Sequence, residues 1–199
     1  MINELINNLN SLGYDTYYFE NRNEAIAYLN STIHNTTVGI GGSVTVKELD
    51  LFNILNTHNE VYWHMLETDR TKSREIINKA KDARIYISSV NAISADGEIV
   101  NIDGTSNRVA SISYGHDDVY FIIGTNKITA NLHEAINRAQ NVAAPLNAIR
   151  LNRKTPCVKD KKCHNCKSPE RICRNMQILS TAPTGMKYHI ILIDENLGY

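Results

Sequence analysis

Apolar residues recur along this chain in two rhythms that alternate from the start to about Arg150. Ile2, Leu5, Ile6, Leu9 and Leu12 are spaced as one face of a helix over residues 2–12, which ends at Gly13. A strand over Asp15–Phe19 follows, and Asn21 with Glu24 three residues on has the pattern of a capping box opening a second helix. The next strand, Thr36–Ile40, runs into Gly41-Gly42-Ser43, and Thr45 with Glu48 marks another helix start directly after the glycines. The same reading predicts a strand over Glu60–Met65, a helix over Thr71–Ala83 and a strand over Arg84–Val90. Asp96-Gly97 predicts a hairpin turn into the alternating segment Glu98–Ile102, which stops at Asp103-Gly104.

Beyond it the pattern predicts a helix over Asn107–Tyr114 and a buried strand over Asp118–Ile123. Leu132, Ala135, Ile136 and Ala139 share one face of a helix over Asn131–Ala143, expected to end before Pro145. A last strand, Tyr188–Ile193, returns to the sheet. Between Arg150 and that strand the periodicity vanishes, so residues of about 150–176 read as an insertion near the C-terminus. The alternation of helix and strand predicts an α/β fold.

Composition narrows this picture: 199 residues, 42% apolar and 21% charged, suit one globular domain carrying a small inserted module and exclude collagen, coiled coil and disorder. No apolar run approaches the roughly 20 residues of a membrane span. The first residues carry no basic start or continuous apolar block, so a cytoplasmic protein without membrane contact is expected.

The 21 basic and 21 acidic side chains balance overall but not locally. The stretch Arg150–Arg174 holds nine basic and two acidic residues, net +7, and leaves the rest of the chain net −7. That footprint would suit nucleic acid, but the stretch has no aromatic side chain to stack on a base and the whole chain is neutral, which argues against such a partner.

All four cysteines, Cys157, Cys163, Cys166 and Cys173, lie in that basic stretch, spaced C-x5-C-x2-C-x6-C. In a cytoplasmic protein disulfides are disfavoured, and four thiols so close in sequence point to a metal. Structural zinc commonly uses two C-x2-C knuckles, whereas only one is present, and a single wrap of chain suits a [4Fe–4S] cluster better. Lys161, Lys162, Lys167, Arg171 and Arg174 would offset the negative charge of such a centre. A zinc staple is the alternative, and His164 between two of the cysteines is a neighbour rather than a ligand.

Gly41, Gly42, Ser43 and Thr45 place small residues between a strand and a helix start, where backbone N–H groups converge on an anion. The glycines complete neither a dinucleotide fingerprint nor a Walker loop, and a tight strand-to-helix connection explains them equally well. Asp96 and Asp103, with Gly104, are either paired carboxylates or turn residues. Asn107 and Arg108 stand at a helix start, where an arginine can grip an anion with two parallel hydrogen bonds. Asn126 and Lys127 follow a buried strand, at the end where open α/β sheets bind ligands. No serine-based triad is visible, and His34, His58, His64, His116, His133 and His189 show no ligand spacing.

Gly41-Gly42-Ser43-Val44-Thr45, the run from Ser94 to Ala110 with its two Asp-Gly pairs and Asn107-Arg108, Gly124-Thr125-Asn126-Lys127 and Ala144-Pro145-Leu146-Asn147 together resemble the LUD-domain family, named for lactate utilisation. The resemblance spans nearly the whole chain. It implies the Rossmann-like fold shared by ribose-phosphate isomerases, glucosamine-phosphate deaminases and CoA transferases, with helices on both faces of the sheet. It further implies that Gly41–Thr45 and Asp96–Arg108 line one cleft for a small anionic metabolite. The insertion is similar to that of a cysteine-containing branch of short family members, where a cluster is expected. The function so implied is redox or organic-acid metabolism with a redox protein as possible partner; a non-catalytic metabolite-binding or docking module with a zinc site is the alternative.

Overall fold

The computed structural model describes residues 2–199. Helix α1 (Ile2–Ser11) leads into β1 (Asp15–Phe19), and α2 (Arg22–Thr32) begins at Asn21, whose side chain accepts the Glu24 backbone N–H as the capping box requires. β2 (Thr37–Ile40) is followed by the short helices α3 (Val44–Glu48) and α4 (Leu51–Leu55), β3 (Glu60–Trp63) and α5 (Arg70–Lys81). The expected strand of residues 60–65 stops at Trp63, and His64–Leu66 form a 3-10 turn instead. Then come β4 (Ile85–Ser88), β5 (Ala92–Ser94), β6 (Ile99–Asp103), α6 (Asn107–Ser113), β7 (Asp118–Gly124) and β8 (Ile128–Thr129).

The helix expected to end before Pro145 runs on. α7 (Leu132–Arg138) passes through a π-helical turn over Ala139–Ala143 into α8 (Ala144–Arg150). A proline inside an α-helix lacks one N–H and drives its ring against the carbonyl four residues earlier, and a wider turn just before it relieves that conflict. The cysteine insertion holds only one short helix, α9 (Cys157–Asp160), before β9 (Asn175–Leu179), a strand the periodicity did not announce, and β10 (Lys187–Ile193).

Six strands form a wholly parallel sheet in the order β1-β10-β7-β4-β2-β3. Buried strands of a parallel sheet are apolar on both faces, and β7 and β10 show it. Tyr120, Ile122, Ile191 and Ile193 face α2, α3 and α4, packing with Leu29, Val46 and Leu51, while Val119, Phe121, Ile190 and Leu192 face α1 and α6, packing with Leu5, Leu9 and Ile112. The Rossmann-like layering with helices on both faces is therefore present.

Four further strands form a second sheet, order β8-β5-β6-β9, which grows from the C-terminal ends of β4 and β7. Asp96-Gly97 makes the predicted turn between the antiparallel β5 and β6, with Gly97 at φ +101°, a conformation that suits glycine. Ala92 and Val100 of this sheet pack on Ala135 and Ala139. The chain leaves β2 towards β3 on one side and returns to β4 on the other, so a crevice opens beyond the carboxyl ends of β2 and β4, where open α/β sheets place ligands. Among the described residues no helix is long and apolar enough to cross a membrane.

Candidate functional site

A cleft of about 490 Å3 occupies that crevice, within the range of metabolite pockets. Its floor is built by the segments that follow three neighbouring strands: Gly42, Ser43 and Thr45 after β2, Ser89 and Asn91 after β4, and Lys127 after β7. Asp103, Gly104, Asn107 and Arg108 at the β6–α6 junction close one side. Arg150 of α8 and Arg153 beyond it stand at the rim with Tyr199.

Of the residues singled out in the sequence, Gly42, Ser43, Thr45, Asp103, Gly104, Asn107, Arg108 and Lys127 all line this cleft. Three do not. Gly41 lies just behind the wall: a Cβ there would stand 2.9 Å from the Tyr86 hydroxyl and 3.3 Å from Arg108 Cδ, and its carbonyl accepts Trp63 Nε1–H at 3.0 Å. Asn126 is spent on structure, its Oδ1 accepting the Leu197 N–H and its carbonyl accepting Arg138 Nε–H. Asp96 is exposed at the hairpin turn, at the opposite end of β6 from Asp103, so the two carboxylates do not pair.

Asp103 is bound up locally. Its two oxygens accept the backbone N–H groups of Thr105, Arg108 and Val109 at 3.0 to 3.2 Å, which caps α6. Arg108 is buried with its terminal nitrogens on four neutral acceptors: Nη1 donates to the Ser89 carbonyl and Asn101 Oδ1, and Nη2 to Asn91 Oδ1 and the Ile102 carbonyl. These bonds leave it a fixed positive charge rather than a free fork, and burial pulls its pKa down.

Lys127 is only 2% exposed. Its Nζ donates to Thr45 Oγ1 at 2.7 Å and Ser89 Oγ at 2.8 Å. No carboxylate lies within ion-pair distance of it among the described residues. Burial, with the like charges of Arg138 and Arg108, pushes its pKa down to about 7, against a weaker opposing pull from Glu48. His64, read as ordinary in the sequence, also lines the cleft, and burial holds its imidazole below the usual range and so neutral at pH 7. Ser89, Asn91, Arg150 and Tyr199 were likewise not singled out. Ser89 and Asn91 carry the signal that pointed to Asn126 and Lys127, a position beyond a strand's carboxyl end. Nothing local marks Tyr199, whose hydroxyl meets Arg150 Nε at 2.9 Å.

The four cysteines are free thiols, half-buried, and all line one small cavity beside the cleft. Ala144 and Ile172 wall both cavities. The loop is tied by Arg171, which donates to the carbonyls of Cys166 and Cys173 at 2.9 and 2.8 Å, and the Asn165 N–H points to Cys163 Sγ at 3.5 Å. Among the described residues no three His, Cys, Asp or Glu side chains stand together as a ready metal-ligand group. His164 turns to Asp160, at 2.9 Å.

Comparison with known proteins gives two findings. The model of a family described as LUD domain matches residues 2–193. The crystal structure of a DUF162 family protein from Deinococcus radiodurans superposes with a TM-score of 0.53 over 96% of this chain and 95% of its own, at 10% identity, a likeness of fold. No curated protein matches.

Proposed function

From the premise that the chain belongs to the LUD-domain family, we propose that it binds a small anionic metabolite in the cleft beyond β2, β4 and β7. One observation carries this reading: a buried amine, Lys127, faces a metabolite-sized space with two hydroxyls as its partners and no carboxylate to neutralise it. An ammonium taken out of water without a counter-charge is unfavourable, and a bound carboxylate or phosphate supplies that charge. Arg108 adds a fixed charge behind it, and Arg150 and Arg153 add exposed charge at the rim, against Asp103, already engaged, and Glu67.

Beside the cleft, Cys157, Cys163, Cys166 and Cys173 fit a [4Fe–4S] cluster in kind and number: four thiols on one wall-sharing cavity, with Arg171 in its lining and further basic residues beside the cysteines in sequence. The cluster, when bound, supplies one-electron transfer. The chain's own residues shape its surroundings: Arg171 holds the Cys166 and Cys173 backbone, and Ile172 with Ala144 separates the cavity from the metabolite cleft. The protein then works in the cytoplasm in redox or organic-acid metabolism of the lactate type, with a redox protein as partner.

Two measurements test these halves separately. Calorimetric titration with lactate, malonate and inorganic phosphate is expected to show binding that weakens as pH rises through 7, because Lys127 loses its proton there, and that takes up protons at pH 8. No binding by any of the three at pH 6 overturns the anion reading. Anaerobic purification with iron, sulfide and zinc analysis is expected to give iron and sulfide with a broad visible band, lost in Cys166→Ala. Stoichiometric zinc in a colourless protein replaces the cluster with a structural staple.

A further inference from the structure

Thr45, Ser89 and Lys127 form a hydrogen-bonded row whose donors and acceptors can be assigned one by one. The Thr45 hydroxyl donates to the Leu197 carbonyl at 3.3 Å, so its oxygen is left to accept from Lys127 Nζ. The Ser89 hydroxyl has no acceptor among the described residues other than Lys127. Once Lys127 is neutral its lone pair is therefore aimed at the Ser89 O–H, while one of its own N–H groups stays on Thr45. That is the arrangement of a serine with an adjacent general base oriented by a third group.

The serine is also held in place. Its carbonyl accepts from Arg108 Nη1 at 2.9 Å and from the Ser88 hydroxyl at 3.1 Å, so the backbone at the end of β4 has two anchors. Arg108, charged and bonded only to neutral acceptors, places positive potential beside Ser89, where negative charge would develop on an attacked carbonyl oxygen. The charged groups acting on Lys127 are Arg138 and Arg108, which favour the neutral amine, and Glu48, which opposes them.

We infer that Ser89 and Lys127 are a nucleophile and general base for acyl transfer, acting on a small ester or thioester that enters the cleft. Ser89 Oγ attacks the acyl carbon while its proton passes to Lys127 Nζ. The bond from that carbon to the leaving oxygen or sulfur breaks, and the departing group takes the proton from Lys127. Water then attacks the acyl-serine, gives its proton to Lys127, and Ser89 Oγ leaves and regains it. The net reaction is hydrolysis, with no change of oxidation state. Thr45 is a positioning residue, orienting the amine through its hydroxyl.

This activity goes beyond anion capture and answers oppositely to pH. Anion binding needs the ammonium; the serine needs the amine.

The test is labelling of the whole folded protein with diisopropyl fluorophosphate, from which a nucleophilic serine displaces fluoride, read by intact mass and peptide mapping. One label per chain at Ser89 is expected, at a rate that rises with pH to a plateau with a midpoint near 7, where Lys127 titrates. Lys127→Met should slow labelling about 100- to 10,000-fold. Thr45→Val should move the midpoint to lower pH, because it removes an oxygen that favours the charged form; loss of packing alone would not move it. Circular dichroism establishes that each variant is folded, and if a variant is not, the wild-type pH profile decides. No label at Ser89 between pH 6 and 9, a flat rate across that range, or equal labelling of folded Lys127→Met overturns the proposal. Anion binding without label overturns the dyad alone, and label without anion binding overturns the anion reading alone.

Discussion

At the scale of single residues, Lys127 shows how position rather than type makes chemistry. An exposed lysine is a solvated cation; here burial and two arginines lower its pKa to about 7. In the unfolded chain the same group titrates near 10.4. Between those values the unfolded state holds a proton that the folded state has lost, so this residue makes stability rise with pH from about 7 to 10, and its full cost is felt below 7. Lys127→Met should thus unfold at higher denaturant than the wild type at pH 6. The difference should shrink as pH is raised towards 10, measured as a pair of urea titrations at each pH. The gap at low pH is on the order of 5 kcal/mol before the lost hydrogen bonds to Thr45 and Ser89 are set against it. A constant gap across pH would mean that Lys127 carries its charge as an exposed lysine does. Lys127 itself was legible as a site residue because it follows a buried strand. Ser89 follows a buried strand too, but its role as a nucleophile was not legible: a serine announces a nucleophile in sequence only through a motif, and here its base comes from a different strand end, 38 residues away.

At the scale of elements, the strands differ in what they owe to burial. β10 lies between β1 and β7, and Ile191 at its middle is fully buried, opposite Tyr17 on one side and Ile122 on the other. Ile191→Ala should cost about 2 to 5 kcal/mol in equilibrium unfolding. β9 is an edge strand with Met176 38% exposed, and Met176→Ala should stay within about 0.5 kcal/mol. The same contrast explains which elements were legible. The continuous apolar run of β10 and the periodic face of α1 are signals of burial. β9, Asn-Met-Gln-Ile-Leu, exposes its apolar side chains and buries little besides Leu179, so nothing in its pattern distinguished it from the insertion before it. Pro145 misled for a related reason. Its local preference ends a helix, but packing of Ala139 and Ala148 keeps the chain helical, and a π turn absorbs the conflict.

At the scale of the molecule, two cavities share a wall, and the insertion that bears the cysteines adds no residue to the three buried apolar clusters. Cys166→Ala should therefore keep the far-UV circular dichroism and cooperative unfolding of the wild type whichever metal the thiols hold; collapse of the fold would show that the insertion carries the core. The sequence by itself determined the alternation of helix and strand, the cap at Asn21, the hairpin at Asp96-Gly97, the gathering of thiols among basic residues, and the family. Each of these is a local property, set by periodicity, backbone preference or spacing within a few residues. The helix start expected at Thr45 falls two residues earlier, with Ser43 as the cap accepting the Val46 N–H. Only the tertiary structure decided the strand order that sets β2, β4 and β7 side by side, and with it the meeting of Thr45, Ser89 and Lys127. Strand order follows from which apolar faces bury one another across the whole chain, and the ionisation of a lysine follows from how far that burial excludes water.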